Sequence, residues 1–193
     1  MNEYTRTIST NNYDCQYYNE QKFNSTFSNK TTKSLKVIHL NISSFELHQH
    51  ELSAYLNCLK IQFDVILLTE TKSINQSITE KEFPNFDLYI DPPTISFGGA
   101  SILVRKDMCE SIEPLDNLKL KSNCQCTKCL FESKFIKLKL DNNYLIVGCI
   151  YRHPNGNPLH FIKEYSDLLG KLNTNATHII GGDFNLNLLE YDK

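Results

Sequence analysis

Toward its C-terminal end the chain reads His178-Ile179-Ile180-Gly181-Gly182-Asp183-Phe184-Asn185. An apolar strand runs into two glycines, then sets a carboxylate and an amide two residues apart. Residues i and i+2 of an extended segment face the same side. Asp183 and Asn185 are therefore expected to address one reacting centre while Phe184 turns into the core. Glycine lets a phosphate or a metal ion approach the backbone closely. A carboxylate can orient or deprotonate an attacking water. The pattern suits phosphodiester chemistry.

Three further strand ends carry polar groups of matching type. Leu35-Lys36-Val37-Ile38-His39-Leu40 leads to Asn41, and Phe63-Asp64-Val65-Ile66-Leu67-Leu68 leads to Thr69-Glu70-Thr71. Tyr144-Leu145-Ile146-Val147-Gly148-Cys149-Ile150 leads to Tyr151-Arg152. Ligand sites of open α/β sheets lie off the carboxyl ends of strands. Glu70 is the best metal ligand, because Mg²⁺ takes one or two carboxylates, keeps waters and adds substrate phosphate oxygens. Mn²⁺ is the alternative ion. Asn41 and Asn185 can hydrogen-bond a coordinated water or a phosphate oxygen. Arg152 offers a fork that matches phosphate, and Tyr151 a hydroxyl donor. Each has a plainer account when taken alone. Glu70 can be a solvated strand terminus, Asp183 and Asn185 an Asx turn, Arg152 a surface charge. It is their joint recurrence at strand ends that points to one site.

The elements that must position these groups follow from periodicity. Leu52, Leu56, Leu59 and Phe63 recur at helical spacing, so the pattern predicts an amphipathic helix over about 45–61, capped by Ser43 or Ser44. The run Phe63–Leu68 is continuously apolar, as in a strand covered on both faces. Asp87–Ile90 is a short strand, and Gly98-Gly99 precedes another over Ala100–Arg105. Residues 106–128 read as irregular. Phe131–Leu140 alternates from Lys134 onward and turns through Asp141-Asn142-Asn143 into Tyr144–Tyr151, which makes a hairpin. Pro158–Leu172 reads as a second helix with Phe161, Tyr165, Leu168 and Leu169 inward. The sum is an α/β protein with mixed strands.

Composition sets the limits. The 193 residues suit one domain, with residues 35–193 carrying the ordered pattern. Residues 1–34 are rich in Asn, Ser, Thr, Tyr and Gln, and read as a disordered or loosely attached tail whose aromatics, Tyr13, Tyr17, Tyr18, Phe23 and Phe27, leave room for local docking. A net charge of −2 gives no bulk basic field, so any contact with nucleic acid must be local or metal-mediated. No apolar run is long enough for a membrane span, and the N-terminus lacks a secretory h-region. Seven cysteines without an export signal suit a reduced, intracellular protein. Cys124, Cys126 and Cys129 cluster, yet a structural zinc site needs four ligands. A loop of reduced cysteines is the expectation, with Cys109 and His153 the nearest other candidate ligands. His48 and His50 read as solvated. Lys134, Lys137 and Lys139 read as a wet strand face.

The motifs His39-Leu40-Asn41, Leu68-Thr69-Glu70-Thr71, Gly98-Gly99-Ala100, Tyr151-Arg152-His153-Pro154 and Gly182-Asp183-Phe184-Asn185 occur in one order. In that order the chain resembles the endonuclease/exonuclease/phosphatase superfamily. Within it, the chain looks most like the apurinic-type endonuclease domain of non-LTR retrotransposons. The resemblance covers about residues 35–193. It implies a four-layer α/β sandwich of the DNase I-like type and Mg²⁺-dependent cleavage of a DNA phosphodiester. It also implies roles. Asn41 and Glu70 organise the metal, Tyr151 contacts phosphate, Asp183 positions the nucleophilic water, and Asn185 holds the scissile phosphate. A reverse-transcriptase region in a parent element and a nuclear location follow for activity on genomic DNA.

The family adds a later Asp and a final Asp-His pair, and nothing after Asn185 matches them. The expectation is an N-terminal portion of such a domain, lacking the last strands of its second sheet and showing little or no nuclease activity. Two other readings stand beside it. One is a non-catalytic, partner-binding remnant. The other is a phosphoinositide or sphingomyelin phosphodiesterase on the same fold, against which the Tyr151-Arg152-His153-Pro154 segment argues.

Overall fold

The computed structural model describes residues 16–28, 34–74, 81–91, 93, 98–120, 131–141, 143–172 and 175–187. Eight strands are described: β1 (Val37–Asn41), β2 (Val65–Thr69), β3 (Phe86–Asp91), β4 (Ala100–Arg105), β5 (Ser111–Pro114), β6 (Phe131–Leu140), β7 (Asn143–Arg152) and β8 (Thr177–Asp183). Three helices accompany them: α1 (Glu20–Phe27), α2 (Phe45–Cys58) and α3 (Pro158–Leu169). The strands form two four-stranded sheets, ordered β1-β2-β4-β3 and β5-β6-β7-β8.

The two sheets pack face to face because β2 is apolar on both sides. Alternate strand residues point to opposite faces. Val65 and Leu67 join Ile102 and Val104 against Ile136, Leu138, Val147 and Cys149 of the other sheet. Ile66 and Leu68 point the other way, onto Phe45, Leu52 and Leu59 at α2. Every residue of β2 is at most 1 % exposed. Full burial stabilises each such side chain by about 1.5–3 kcal/mol. On the outer face of the second sheet, Phe161 and Leu168 of α3 pack on Phe135, Ile146 and Ile150. The layers therefore run α2, first sheet, second sheet, α3, which is the four-layer sandwich expected. Among the described residues β1 and β8 end their sheets.

Register brings the polar strand ends level. β1 runs parallel to β2, pairing Asn41 with Thr69. β7 runs parallel to β8, pairing Tyr151 with Asp183. Close approach of the last pair requires glycine at 182, where φ is 152° and an added Cβ would lie 1.8 Å from the Ile150 carbonyl oxygen.

Four expectations need correction. Residues 20–27, placed in the loose tail, form α1, with Phe23 packed on the α2 side of the core. Asn24 Nδ2 donates to the Cys58 carbonyl at 2.7 Å, so part of the aromatic segment docks. Residues 1–15 and 29–33 lie outside the described residues. Within the stretch read as irregular, β5 pairs antiparallel with β6. Its pattern is too short to show periodicity, since Ile112 alone turns inward. Ser44 stands at the N-cap of α2 without a side-chain cap bond. Finally, Leu169 is 38 % exposed. It lies one helical step round from Leu168, outside the stripe of Phe161, Tyr165 and Leu168.

Candidate active site

Two sheets end at one edge, and one amide joins them. Asn41 Nδ2 donates to Glu70 Oε1 at 2.8 Å and to Asp183 Oδ2 at 2.9 Å. Glu70 follows β2 in the first sheet, and Asp183 ends β8 in the second. Tyr151, on β7, stands close enough to both carboxylates for Glu70 and Asp183 to act on its ionisation. Asn41, Glu70 and Asp183 thus form a hydrogen-bonded cluster with Tyr151 beside it. Tyr151 is buried, whereas Asn41 opens to solvent.

The backbone around the cluster is left-handed at several non-glycine positions. Glu70 has φ of 55°, Lys72 of 54°, Ser43 of 56° and Asn185 of 47°. Asn visits this region readily. For Glu and Lys it costs roughly 1–3 kcal/mol each and persists only where surroundings over-determine it. Here they do. Ile42 N–H donates to the Thr69 carbonyl at 3.0 Å, Phe45 N–H to that of Thr71 at 3.0 Å, and Lys72 N–H to that of Gly98 at 2.7 Å. Glu70 is aimed by this bracing rather than by the pleat of β2.

Asp183 and Asn185 adopt the plainer of the two arrangements read from sequence, not the shared face of an extended segment. The chain leaves the extended conformation after Asp183, and Asn185 N–H donates to Asp183 Oδ1 at 3.1 Å. This is an Asx turn. It holds the carboxylate at the site while Phe184 packs among Phe161 and Tyr165, the inward turn expected of it. Asn185 Nδ2 donates to the Arg152 carbonyl at 2.7 Å.

Arg152 is not the open phosphate fork that its position suggests. It is 3 % exposed. Its Nε donates to the Phe184 carbonyl at 2.6 Å, and Nη1 to those of Gly156 at 2.5 Å and His153 at 3.2 Å. Nη2 donates to the Asn185 carbonyl. A buried guanidinium is retained where its donors are satisfied, and here backbone carbonyls satisfy them. Arg152 ties the turn after β7 to the turn after β8.

Burial pushes Tyr151 ionisation well above the ordinary phenol range, and Glu70, Asp183 and Glu132 add to the shift. Tyr151 is therefore a neutral hydroxyl donor. His39, two residues before Asn41, has its pKa lowered by burial, partly offset by Asp183. Its Nε2 lies 3.2 Å from Thr69 Oγ1.

The donor set fits a hard divalent cation with few protein ligands. Glu70 and Asp183 bring carboxylate oxygens, and Asn41 Oδ1, which accepts the Ser43 N–H at 3.2 Å, has a second lone pair. Among the described residues no three His, Cys, Asp or Glu side chains form a metal cage.

Sequence reasoning missed Glu132. It is the second residue of β6, opposite Tyr151, is 6 % exposed, and accepts the Gly99 N–H at 2.8 Å. Its signal is faint, a lone acid on a strand whose later charges are all lysines. Those lysines lie apart from the site. Lys134 pairs with Asp116, Lys137 with Glu113 and Lys139 with Glu110. His48 pairs with Glu51, and His50 with Glu82. Cys124, Cys126 and Cys129 lie outside the described residues.

The fold is similar to several solved structures. D. rerio TDP2 complexed with single strand DNA product aligns with a TM-score of 0.60 at 17 % identity, covering 83 % of this chain and 64 % of that one. The endonuclease domain of TRAS1, a telomere-specific non-LTR retrotransposon, aligns at 0.58 and 15 % identity, covering 80 % and 62 %. An endonuclease/exonuclease/phosphatase family protein from Bacteroides thetaiotaomicron aligns at 0.57 and 14 % identity, covering 80 % and 64 %. The chain thus spans a little under two thirds of the length of these three structures. No family model matches the sequence, and no curated protein matches it.

Proposed function

On the DNase I-like fold of the endonuclease/exonuclease/phosphatase superfamily, which this chain carries, we propose that the cluster is a Mg²⁺-dependent phosphodiesterase centre acting on DNA. The observation that carries this reading is Asn41, whose single amide nitrogen binds one carboxylate from each sheet. Two carboxylates, an amide and a neutral phenol at one edge can each serve phosphodiester hydrolysis.

Glu70 and Asn41 would hold the cation, with Mn²⁺ as a substitute. The bound ion would neutralise charge on the phosphate and stabilise the leaving oxygen. Asp183 accepts at Oδ1 from Asn185 and at Oδ2 from Asn41, so its carboxylate is held ready to orient the attacking water and accept its proton. Tyr151 keeps its proton on the hydroxyl and can donate to a phosphate oxygen. Asn185 has a second amide N–H for the same purpose. Arg152 contributes by holding the carbonyls on either side of this turn.

DNA is favoured over a lipid phosphodiester by the Tyr151-Arg152-His153-Pro154 segment and by likeness to a DNA complex and a retrotransposon endonuclease. Origin in a mobile element and action on nuclear DNA belong to the same proposal. A second reading is a non-catalytic role in which the same chain binds DNA or a partner without cleaving.

The test is nicking of supercoiled plasmid by folded, monodisperse protein. Weak nicking that needs Mg²⁺, stops in EDTA and is lost in Glu70→Ala and Asp183→Ala supports the centre. Nicking that survives both substitutions overturns it. Plasmid binding without nicking supports the second reading.

A further inference from the structure

Glu132 stands on the second sheet, yet its carboxylate engages the first. Oε2 accepts the Gly99 N–H at 2.8 Å, just ahead of β4. The Gly98-Gly99 turn is left-handed, with φ of 106° and 97°, and is closed in on two sides. A Cβ on Gly98 would lie 2.3 Å from Glu132 Oε2, and one on Gly99 would lie 2.5 Å from Thr71 Oγ1. Behind it, the Gly98 carbonyl accepts the Lys72 N–H at 2.7 Å, and Ser101 Oγ donates to Thr71 Oγ1 at 3.2 Å. Thr71 and Lys72 follow directly on Glu70, whose left-handed backbone depends on bracing. The same Glu132 is the register partner of Tyr151.

We propose that Glu132 is a positioning residue of this site: by fixing the Gly98-Gly99 turn against Thr71-Lys72 it holds Glu70 in its aim. Its role in catalysis rests on the phosphodiesterase reading above. Its role in bracing the turn does not. The contacts run from a buried carboxylate to a glycine amide and from the turn carbonyl to Lys72, which stands two residues along the chain from Glu70. Partners that orient ligands from behind contribute about 10–100-fold to metal affinity or activity.

The experiment compares Glu132→Ala, Glu132→Gln and Glu132→Asp with the parent protein. Gln keeps a side-chain oxygen for the Gly99 N–H, whereas Asp keeps the charge but withdraws it by one methylene. Two readouts are taken, Mn²⁺ affinity by calorimetry and amide hydrogen exchange. Expected results are Mn²⁺ binding weakened about tenfold or more in Glu132→Ala and Glu132→Asp, and restored to within about threefold in Glu132→Gln. Exchange should quicken at residues 69–72 and 98–101 in the first two, while β7 stays protected. If Glu132→Ala fails to fold, Glu132→Asp carries the test. Unchanged exchange in that turn, or equal loss in Glu132→Gln and Glu132→Asp, overturns the proposal. Absence of Mn²⁺ binding in the parent, with turn exchange still dependent on Glu132, overturns the phosphodiesterase reading and leaves the brace standing.

Discussion

Asn41 Nδ2 and Asp183 Oδ2 lie 2.9 Å apart, although 142 residues separate them in the chain. They end β1 of one sheet and β8 of the other. The same nitrogen reaches Glu70 at 2.8 Å, so each of its two hydrogens serves a different carboxylate. The amide therefore stands between two negative groups. This makes position 41 sensitive to charge.

Asn41→Asp replaces the bridging donor with a third carboxylate. In EDTA its melting temperature should fall, by a change corresponding to roughly 0.5–1 kcal/mol for exposed like charges. Added Mg²⁺ should raise it by more than it raises the parent. Thermal melts with and without Mg²⁺ measure both, and an equal Mg²⁺ response in the two proteins would show that no cation sits between these groups.

Arg152 should behave as a structural clamp. Arg152→Lys leaves one ammonium where the guanidinium serves Phe184, Gly156, His153 and Asn185. Each buried acceptor left unsatisfied costs about 1–3 kcal/mol, so urea denaturation should show a loss of about 2 kcal/mol or more. A variant as stable as the parent would contradict the clamp and return Arg152 to phosphate binding.

Tyr151 gives a pH signature. Its folded-state ionisation is raised, first by burial and then by Glu70. Such a group contributes stability that is full below the unfolded pKa of about 10 and is lost as pH rises above it. Melting temperatures from pH 9 to 11 should therefore fall less steeply in Tyr151→Phe than in the parent. Parallel slopes would place the Tyr151 ionisation at its ordinary value.

Cysteine reactivity should divide by burial. The Cys149 thiol is fully buried, its pKa pushed up to about 12, and it donates to the Leu68 carbonyl at 3.3 Å. Cys58 is exposed. The thiolate is the nucleophile, so alkylation at pH 8, mapped by mass spectrometry, should label Cys58 within minutes and Cys149 only after urea. Labelling of native Cys149 at a similar rate would show that the two sheets open.

Gly182→Ala tests the seam between β7 and β8. The added methyl would meet the Ile150 carbonyl oxygen at 1.8 Å, in a backbone region that side chains rarely adopt. The expected cost is more than about 2 kcal/mol, read from the urea midpoint.

Much of the fold was legible locally. The apolar run into Glu70, the helix beginning at Phe45 and the hairpin of β6 and β7 each bury a face, and burial leaves a period in the residues themselves. β5 and α1 left almost none, because each depends on a partner distant in sequence: β6 for the one, the α2 side of the core for the other.

The strand-end groups could be named from sequence, since each ends an apolar run. Their meeting could not. The order β1-β2-β4-β3 beside β5-β6-β7-β8 brings Asn41 to Asp183, and no local pattern encodes which edge faces which. Tertiary structure alone also decided that Arg152 turns inward to carbonyls and that Glu132 stands behind Gly99, and it chose the Asx turn over the shared extended face for Asp183 and Asn185. Hydrophobic period is a property of neighbours along the chain. Hydrogen-bond partners and close backbone approach belong to neighbours in space, and only the packed sheets bring these together.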